Sequence, residues 1–234
     1  MTAPPKAILF DTFGTLVDWR GGVSAALAEI GARRGVTADW LALTDAWRGA
    51  YRPSLDAVRE GRRPWCVLDV LHRDSILALL PEFGAAALAD EVEALVAIWH
   101  RLPAWPDSVA GLRRVHARYL TAPLSNGHVA LLVGLSRAAG FDWDMVFGAD
   151  VFRHYKPDAQ TYLGACGLLG LDPGEVALAA AHNEDLAAAR HFGLQTAFIS
   201  RPLEFGAPDG RAKPARDWDF VADSVEALAD QLGC

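Results

Sequence analysis

The chain has 234 residues, 52% of them apolar, and a formal net charge of −7. That length holds one or two domains with a sizeable core, and the apolar share excludes a disordered chain. The acidic balance, with no basic block, argues against nucleic acid as a partner, while a local pocket can still be positive for a small anion.

The first stretch, Ala7 to Thr15, reads AILFDTFGT. Four apolar residues suit a buried parallel strand, and Gly14 supplies the turn that ends it. Asp11 therefore falls at the carboxyl end of a strand, where open α/β sheets bind ligands. Spacing alone leaves it open as a nucleophile, a metal ligand or a helix cap. Residues 22–101 then read helical. One helix follows over 22–34, with Val23, Leu27 and Ile30 on a stripe and Gly35 as its stop. A second spans 41–51 and is cut short by Pro53. A third spans 65–80, between Pro64 and Pro81, and a fourth spans 85–99 with Leu88, Val92, Leu95 and Val96 on one stripe. No strand pattern interrupts them, so they read as a separate all-α unit.

From residue 103 strands and helices alternate. Helices are expected over 108–118, 129–139, 158–169 and 185–192. Strands are expected over 119–124, 144–147, 176–180 and 196–200, with a last edge strand at 219–221. Such alternation implies βαβ units and a parallel sheet. The fold class is α/β: a doubly wound, Rossmann-like parallel-sheet core with an inserted all-α cap. The division is 1–18 core, 19–102 helical cap, 103–234 core. Residues 200–217 read as irregular loop with no assigned role. Cys66, Cys166 and Cys234 show no CxxC spacing, which points to reduced thiols of the cytoplasm. No leader-like apolar stretch opens the chain, and no run approaches the ~18 residues of a membrane span.

Four loops converge on one sheet edge in this topology. They carry Asp11 and Thr15, then Ser125 and Asn126, then Lys156, then His182 and Asp185. This ordered set resembles the haloacid dehalogenase superfamily over nearly the whole chain. Phosphatases of that superfamily look like DxDxT at the first motif, where the second aspartate transfers protons; here that position is Phe13, which cannot. They also look like GDxxxD after a later strand, to hold magnesium; here the stretch is AAHNED, with Ala181 at the first aspartate. Two carboxylates alone make a poor octahedral oxygen site.

Both departures suit the metal-independent 2-haloacid dehalogenase branch, whose likeness implies the following roles. Asp11 is the nucleophile, forming an alkyl ester that water then hydrolyses, with Asp185 or His182 as base. Thr15 hydrogen-bonds the nucleophile, and Lys156 keeps it ionised. Arg48, in the cap sequence WRGAYRPS, and Asn126 hold the halide or carboxylate. Ser125 with neighbouring amides takes the substrate carboxylate, Tyr162 orients the site, and Thr12 and Phe13 belong to the substrate- or halide-binding set. The likeness implies no metal and no cofactor, a small 2-haloacid as partner, no membrane, and a homodimer. Many members of the branch look like SSNxWD where this chain has Ala180, His182 and Glu184. That pattern is similar to a sub-branch acting on fluoroacetate. A phosphatase and a non-catalytic binding protein are the competing readings, since fold alone does not fix function.

Overall fold

The computed structural model describes residues 4–208 and 210–234. Residues 1–3, part of the stretch read as carrying no leader, lie outside them. β1 (Ala7–Phe10) is buried throughout and is flanked on both sides. β2 (Leu120–Pro123), β3 (Val176–Ala180), β4 (Gln195–Ile199) and β5 (Phe220–Ala222) complete a sheet of order β2-β1-β3-β4-β5, with every pairing parallel. Alternate side chains of β1 enter opposite cores. Ile8 and Phe10 join the cluster shared with the inserted helices, while Ala7 and Leu9 join the second one. That two-sided burial is why the strand reads as a continuous apolar run. Pro123 is tolerated because β2 is an edge strand. The expected strand over 144–147 is only an isolated bridge from Phe147 to Leu124. Asp144 instead turns back to accept the Thr121 amide at 2.8 Å.

Register explains why distant motifs meet. Phe10 stands opposite Pro123 on one side and Ala179 on the other. The next residues, Asp11 and Leu124, therefore leave β1 and β2 beside Ala180, the last residue of β3. Crossovers join the strands: α5 (Ser108–His116) leads into β2, α6 (Val129–Ala139), α7 (Ala149–Phe152) and α8 (Ala159–Leu169) link β2 to β3, α9 (Asn183–His191) links β3 to β4, a loop with a 3₁₀ turn links β4 to β5, and α10 (Val225–Gln231) follows β5. Neither α7 nor α10 is expected from sequence.

The insertion holds α1 (Trp19–Arg34), α2 (Trp40–Arg59), α3 (Leu68–Leu79) and α4 (Val92–Val96). Asp18 caps α1 by accepting the Gly21 amide at 2.8 Å, so the helix starts earlier than its apolar stripe suggests. α2 does not stop at Pro53 but runs 20 residues. Pro53 is exposed, and Gly49, whose carbonyl loses its partner, lines an open cavity. Ser54 Oγ donates to the Ala50 carbonyl at 2.7 Å one position on. α3 begins later than expected. Trp65 packs on Tyr155 at 4.9 Å and the Tyr155 hydroxyl donates to the Cys66 carbonyl at 2.7 Å, so tertiary contacts hold that stretch extended. The expected fourth helix is broken into 3₁₀ turns over Ala86–Glu91 and Ala97–Arg101 on either side of α4. The neck of the insertion is pinned: Asp18 N donates to Pro103 O at 2.9 Å and Trp105 N to Leu16 O at 3.0 Å.

Candidate active site

Asp11 is the first residue past β1, and its amide still bonds Ala179 O at 2.9 Å. Its carboxylate is nearly buried, at 7% exposure, on the wall of a cavity of about 790 Å³. Oδ2 accepts two bonds, from Thr15 Oγ1 at 2.7 Å and His182 Nδ1 at 3.1 Å. Oδ1 accepts one, from Lys156 Nζ at 3.0 Å. The Thr15 hydroxyl is fixed in turn by the Ala181 amide at 3.0 Å. Gly14 closes the loop at φ +83°, and a Cβ there would meet Glu204 Oε1 at 2.2 Å. Both the backbone and the neighbour therefore require glycine.

Two chains of charge leave Asp11. Through Lys156 the first reaches Asp185 Oδ2 at 2.5 Å, and Asp185 Oδ1 accepts the Tyr162 hydroxyl at 2.7 Å. Through His182 the second reaches Glu204, whose Oε1 and Oε2 lie 3.0 and 3.2 Å from Nε2, and Trp19 Nε1 donates to the same Oε1 at 3.0 Å. Burial alone would raise the Asp11 pKa; Lys156, His182 and Thr15 overcome it and hold Asp11 well below the usual carboxylate range. Burial would lower Lys156, yet Asp11 and Asp185 push it above the ordinary lysine value. Burial likewise opposes the His182 cation, but Glu204 and Asp11 raise its pKa to about 10. Burial, reinforced by Asp185, keeps Tyr162 protonated well above the tyrosine range.

With both ring nitrogens against carboxylates and its pKa raised to about 10, His182 is disposed to donate, whereas the likeness leaves it as one of two alternative bases. Arg48 lies on the cavity wall, its guanidinium 4.3 Å from the Tyr51 ring centroid and 5.1 Å from that of Trp19. Its Nη1 is buried without a hydrogen-bond partner. Asn126 bridges core and insertion: Oδ1 accepts the Lys156 amide at 2.7 Å and Nδ2 donates to the Tyr51 hydroxyl at 3.0 Å. Phe13 also lines the cavity and meets Trp99 edge-on at 5.8 Å.

Two expected site residues face elsewhere. Ser125 does not line the cavity; its Oγ accepts the Gly127 amide at 3.2 Å, and its own amide donates to Phe147 O at 3.1 Å. The turn ties down the Ser125 and Gly127 amides and engages Oγ as an acceptor. Thr12 is 1% exposed with its hydroxyl unpartnered and away from the wall. The Glu184 side chain is 89% exposed and lies 3.7 Å from Arg52. Glu204 was missed altogether. It sits in the irregular 200–217 stretch, where no periodicity flags a residue. Arg201 of the same stretch anchors it, donating to Thr15 O at 2.8 Å and pairing twice with Asp107 at 2.7 and 2.9 Å.

Chemically, the donor set does not suit a divalent ion at Asp11. The Lys156 ammonium already stands between the two carboxylates, and Ala181 and Phe13 bring no side-chain oxygen ligand. What the set can do is hold one carboxylate ionised, with Oδ1 the less occupied oxygen, beside an unpaired guanidinium.

Fold and site together define an α/β enzyme whose reacting centre lies at the carboxyl edge of a parallel sheet, under a helical insertion. The chain belongs to the haloacid dehalogenase-like hydrolases, whose family model matches residues 5–193. A solved L-2-haloacid dehalogenase, PA0810, is 49% identical and superposes with a TM-score of 0.94, covering 98% of this chain and 99% of that one. The defluorinating L-2-haloacid dehalogenase Rha0230 is 46% identical, with a TM-score of 0.95 over 98% of this chain and 96% of that one. (S)-2-haloacid dehalogenase 1 of Pseudomonas sp. (strain CBS-3) is 29% identical over 211 residues, 85% of this chain and 86% of the relative.

Proposed function

We propose that the protein hydrolyses short 2-haloacids, such as haloacetates and L-2-halopropionates, to 2-hydroxy acids and halide through an ester on Asp11. One observation carries the reading: a buried, ion-paired Asp11 lines a cavity that Arg48 also lines, with its Nη1 lacking a hydrogen-bond partner. In the first step Oδ1 attacks C2 from behind the carbon–halogen bond, which breaks with its electron pair going to halide. No proton is required. Arg48 supplies positive charge for halide or substrate carboxylate, and Phe13 and neighbouring apolar walls exclude water.

In the second step water adds to Cγ of Asp11, giving its proton to Asp185. Negative charge then develops on Oδ2, where Thr15 O–H and His182 N–H already converge. The Cγ–Oδ1 bond breaks, the leaving alkoxide takes the proton held by Asp185, the water's second proton passes to solvent, and Asp11 is restored as a carboxylate carrying the water's oxygen. A chiral C2 is inverted. Residues 19–102 act as the cap over core segments 1–18 and 103–234. The free thiols of Cys66, Cys166 and Cys234 support a cytoplasmic setting, and light scattering would test the homodimer that the family likeness suggests.

The test is halide release from fluoro-, chloro- and bromoacetate and from both 2-chloropropionate enantiomers, with EDTA present. Release from chloroacetate, together with a mass gain on the Asp11 peptide after brief exposure, supports the reading. Turnover only of phosphate esters, stopped by EDTA, overturns it. Chloride without fluoride release would confine it to the weaker carbon–halogen bonds.

A further inference from the structure

Away from Asp11, three side chains from three elements converge where insertion meets core. Asp69 is in the first turn of α3, His100 is in the 3₁₀ turn Ala97–Arg101, and His128 immediately precedes α6. His100 Nε2 lies 2.9 Å from Asp69 Oδ2 and 3.1 Å from Oδ1. His128 Nε2 lies 3.5 Å from the same Oδ2. One ligand atom from each of the three residues lies within 4.8 Å of the others. Tetrahedral coordination with bonds of about 2.0–2.1 Å sets ligand atoms about 3.3 Å apart. The two edges through Asp69 bracket that value.

A plain hydrogen-bonded pair accounts for His100 and Asp69 but not for His128. That residue is 8% exposed, its Nδ1 has no partner, and its Nε2 faces Asp69 at 3.5 Å, past the usual hydrogen-bond range. Buried polar groups are rarely left so poorly served. A cation between the three residues would give Nε2 a bond.

We propose that Asp69, His100 and His128 form a site for a divalent transition ion of the zinc type, tying the helical insertion to the core. Two imidazoles and one carboxylate suit such an ion better than magnesium or calcium, which prefer oxygen ligands. The Asp69 and His100 side chains are each 26% exposed, so solvent can complete the coordination. His128 is two residues past Asn126, which holds both the Lys156 amide and the Tyr51 hydroxyl. Loading the site therefore stiffens one wall of the cavity without touching Asp11, and the inference stands apart from the proposed reaction.

The test uses the full chain, stripped with chelator, dialysed, and titrated with Zn²⁺ by calorimetry. One ion per chain is expected. Melting should rise by about 5–10 °C at a free concentration near one hundred times the dissociation constant. Asp69→Asn, a half-exposed change that leaves both imidazoles, should weaken binding at least about 100-fold, more than the loss typical of an outer partner. Co²⁺ should give a visible absorption band that Asp69→Asn and His100→Gln abolish. Equal binding by wild type and both variants, or no binding by wild type, overturns the proposal. Halide release in the chelated enzyme is a separate readout: its failure bears on the proposed reaction and not on this site.

Discussion

Glu204→Gln isolates the charge that holds His182 protonated. The carboxylate is 4% exposed and accepts His182 Nε2 at 3.0 Å, and glutamine keeps its shape and an acceptor for both His182 and Trp19. A charge-assisted hydrogen bond of this kind contributes about 1.5–3 kcal/mol, or about 1–2 pKa units at 1.36 kcal/mol per unit. The His182 pKa should then fall from about 10 to roughly 8–9 in the variant, once that share of the bond is lost. The sign follows from the direction of the shift. A cation whose folded pKa is raised acts fully at low pH and is lost as pH rises through the folded value. Lys156 is held higher still, so it does not set the alkaline limb. With chloroacetate as substrate, wild-type kcat should be flat through neutral pH and decline near pH 10. The variant should differ little at pH 7 and lose roughly two- to tenfold at pH 9. An alkaline limb that stays in place, or a loss equal at every pH, would refute the claim that His182 works as a cation on Asp11 Oδ2. The same shift makes a stability statement: the His182 contribution is complete below its ordinary value of 6.5 and lost as pH rises through about 10.

Other substitutions separate the roles of the remaining groups. Arg48→Ala removes the unpartnered guanidinium and should lower kcat/KM about 10- to 100-fold, by the worth of one hydrogen bond to a charge; an unchanged value would remove Arg48 from substrate binding. Asp11→Asn should abolish halide release altogether, and residual release with an intact fold by circular dichroism would name a different nucleophile. Asp185→Asn should still liberate one halide per chain in a rapid burst while the ester persists, seen as a stable mass gain on the Asp11 peptide; full turnover would assign the base elsewhere. Asp107→Ala leaves the Arg201 side chain, 8% exposed, as an uncompensated buried charge. It should cost about 3–5 kcal/mol of stability by denaturant titration, and a cost below about 1 kcal/mol would mean that the pair is effectively solvated.

Much of the site was legible in the chain because it depends on short patterns. Lys156 reaches the site from the loop before α8, but an apolar run followed by Asp11 and Gly14 marks a strand end, and the same grammar marks Ser125 and His182 just past β2 and β3. Once the strands are parallel and in register, these positions must emerge side by side. The apolar periodicity of Val23, Leu27 and Ile30 likewise reports a buried helix face whatever it packs against. Tertiary structure decided what those patterns leave free. Pro53 stays inside α2 because the carbonyl it leaves unserved belongs to Gly49, which lines an open cavity, and Trp65 leaves α3 because Tyr155 holds it. Ser125 sits in the expected loop but off the cavity wall, its Oγ accepting within the turn and its amide bonded to Phe147. His182 is the sharpest case. Its place follows β3 in sequence, but its charge depends on Glu204, which belongs to a stretch with no periodic signal. Position along a strand is a local property; protonation is set by every charge within a few ångströms, and only the folded chain brings those together.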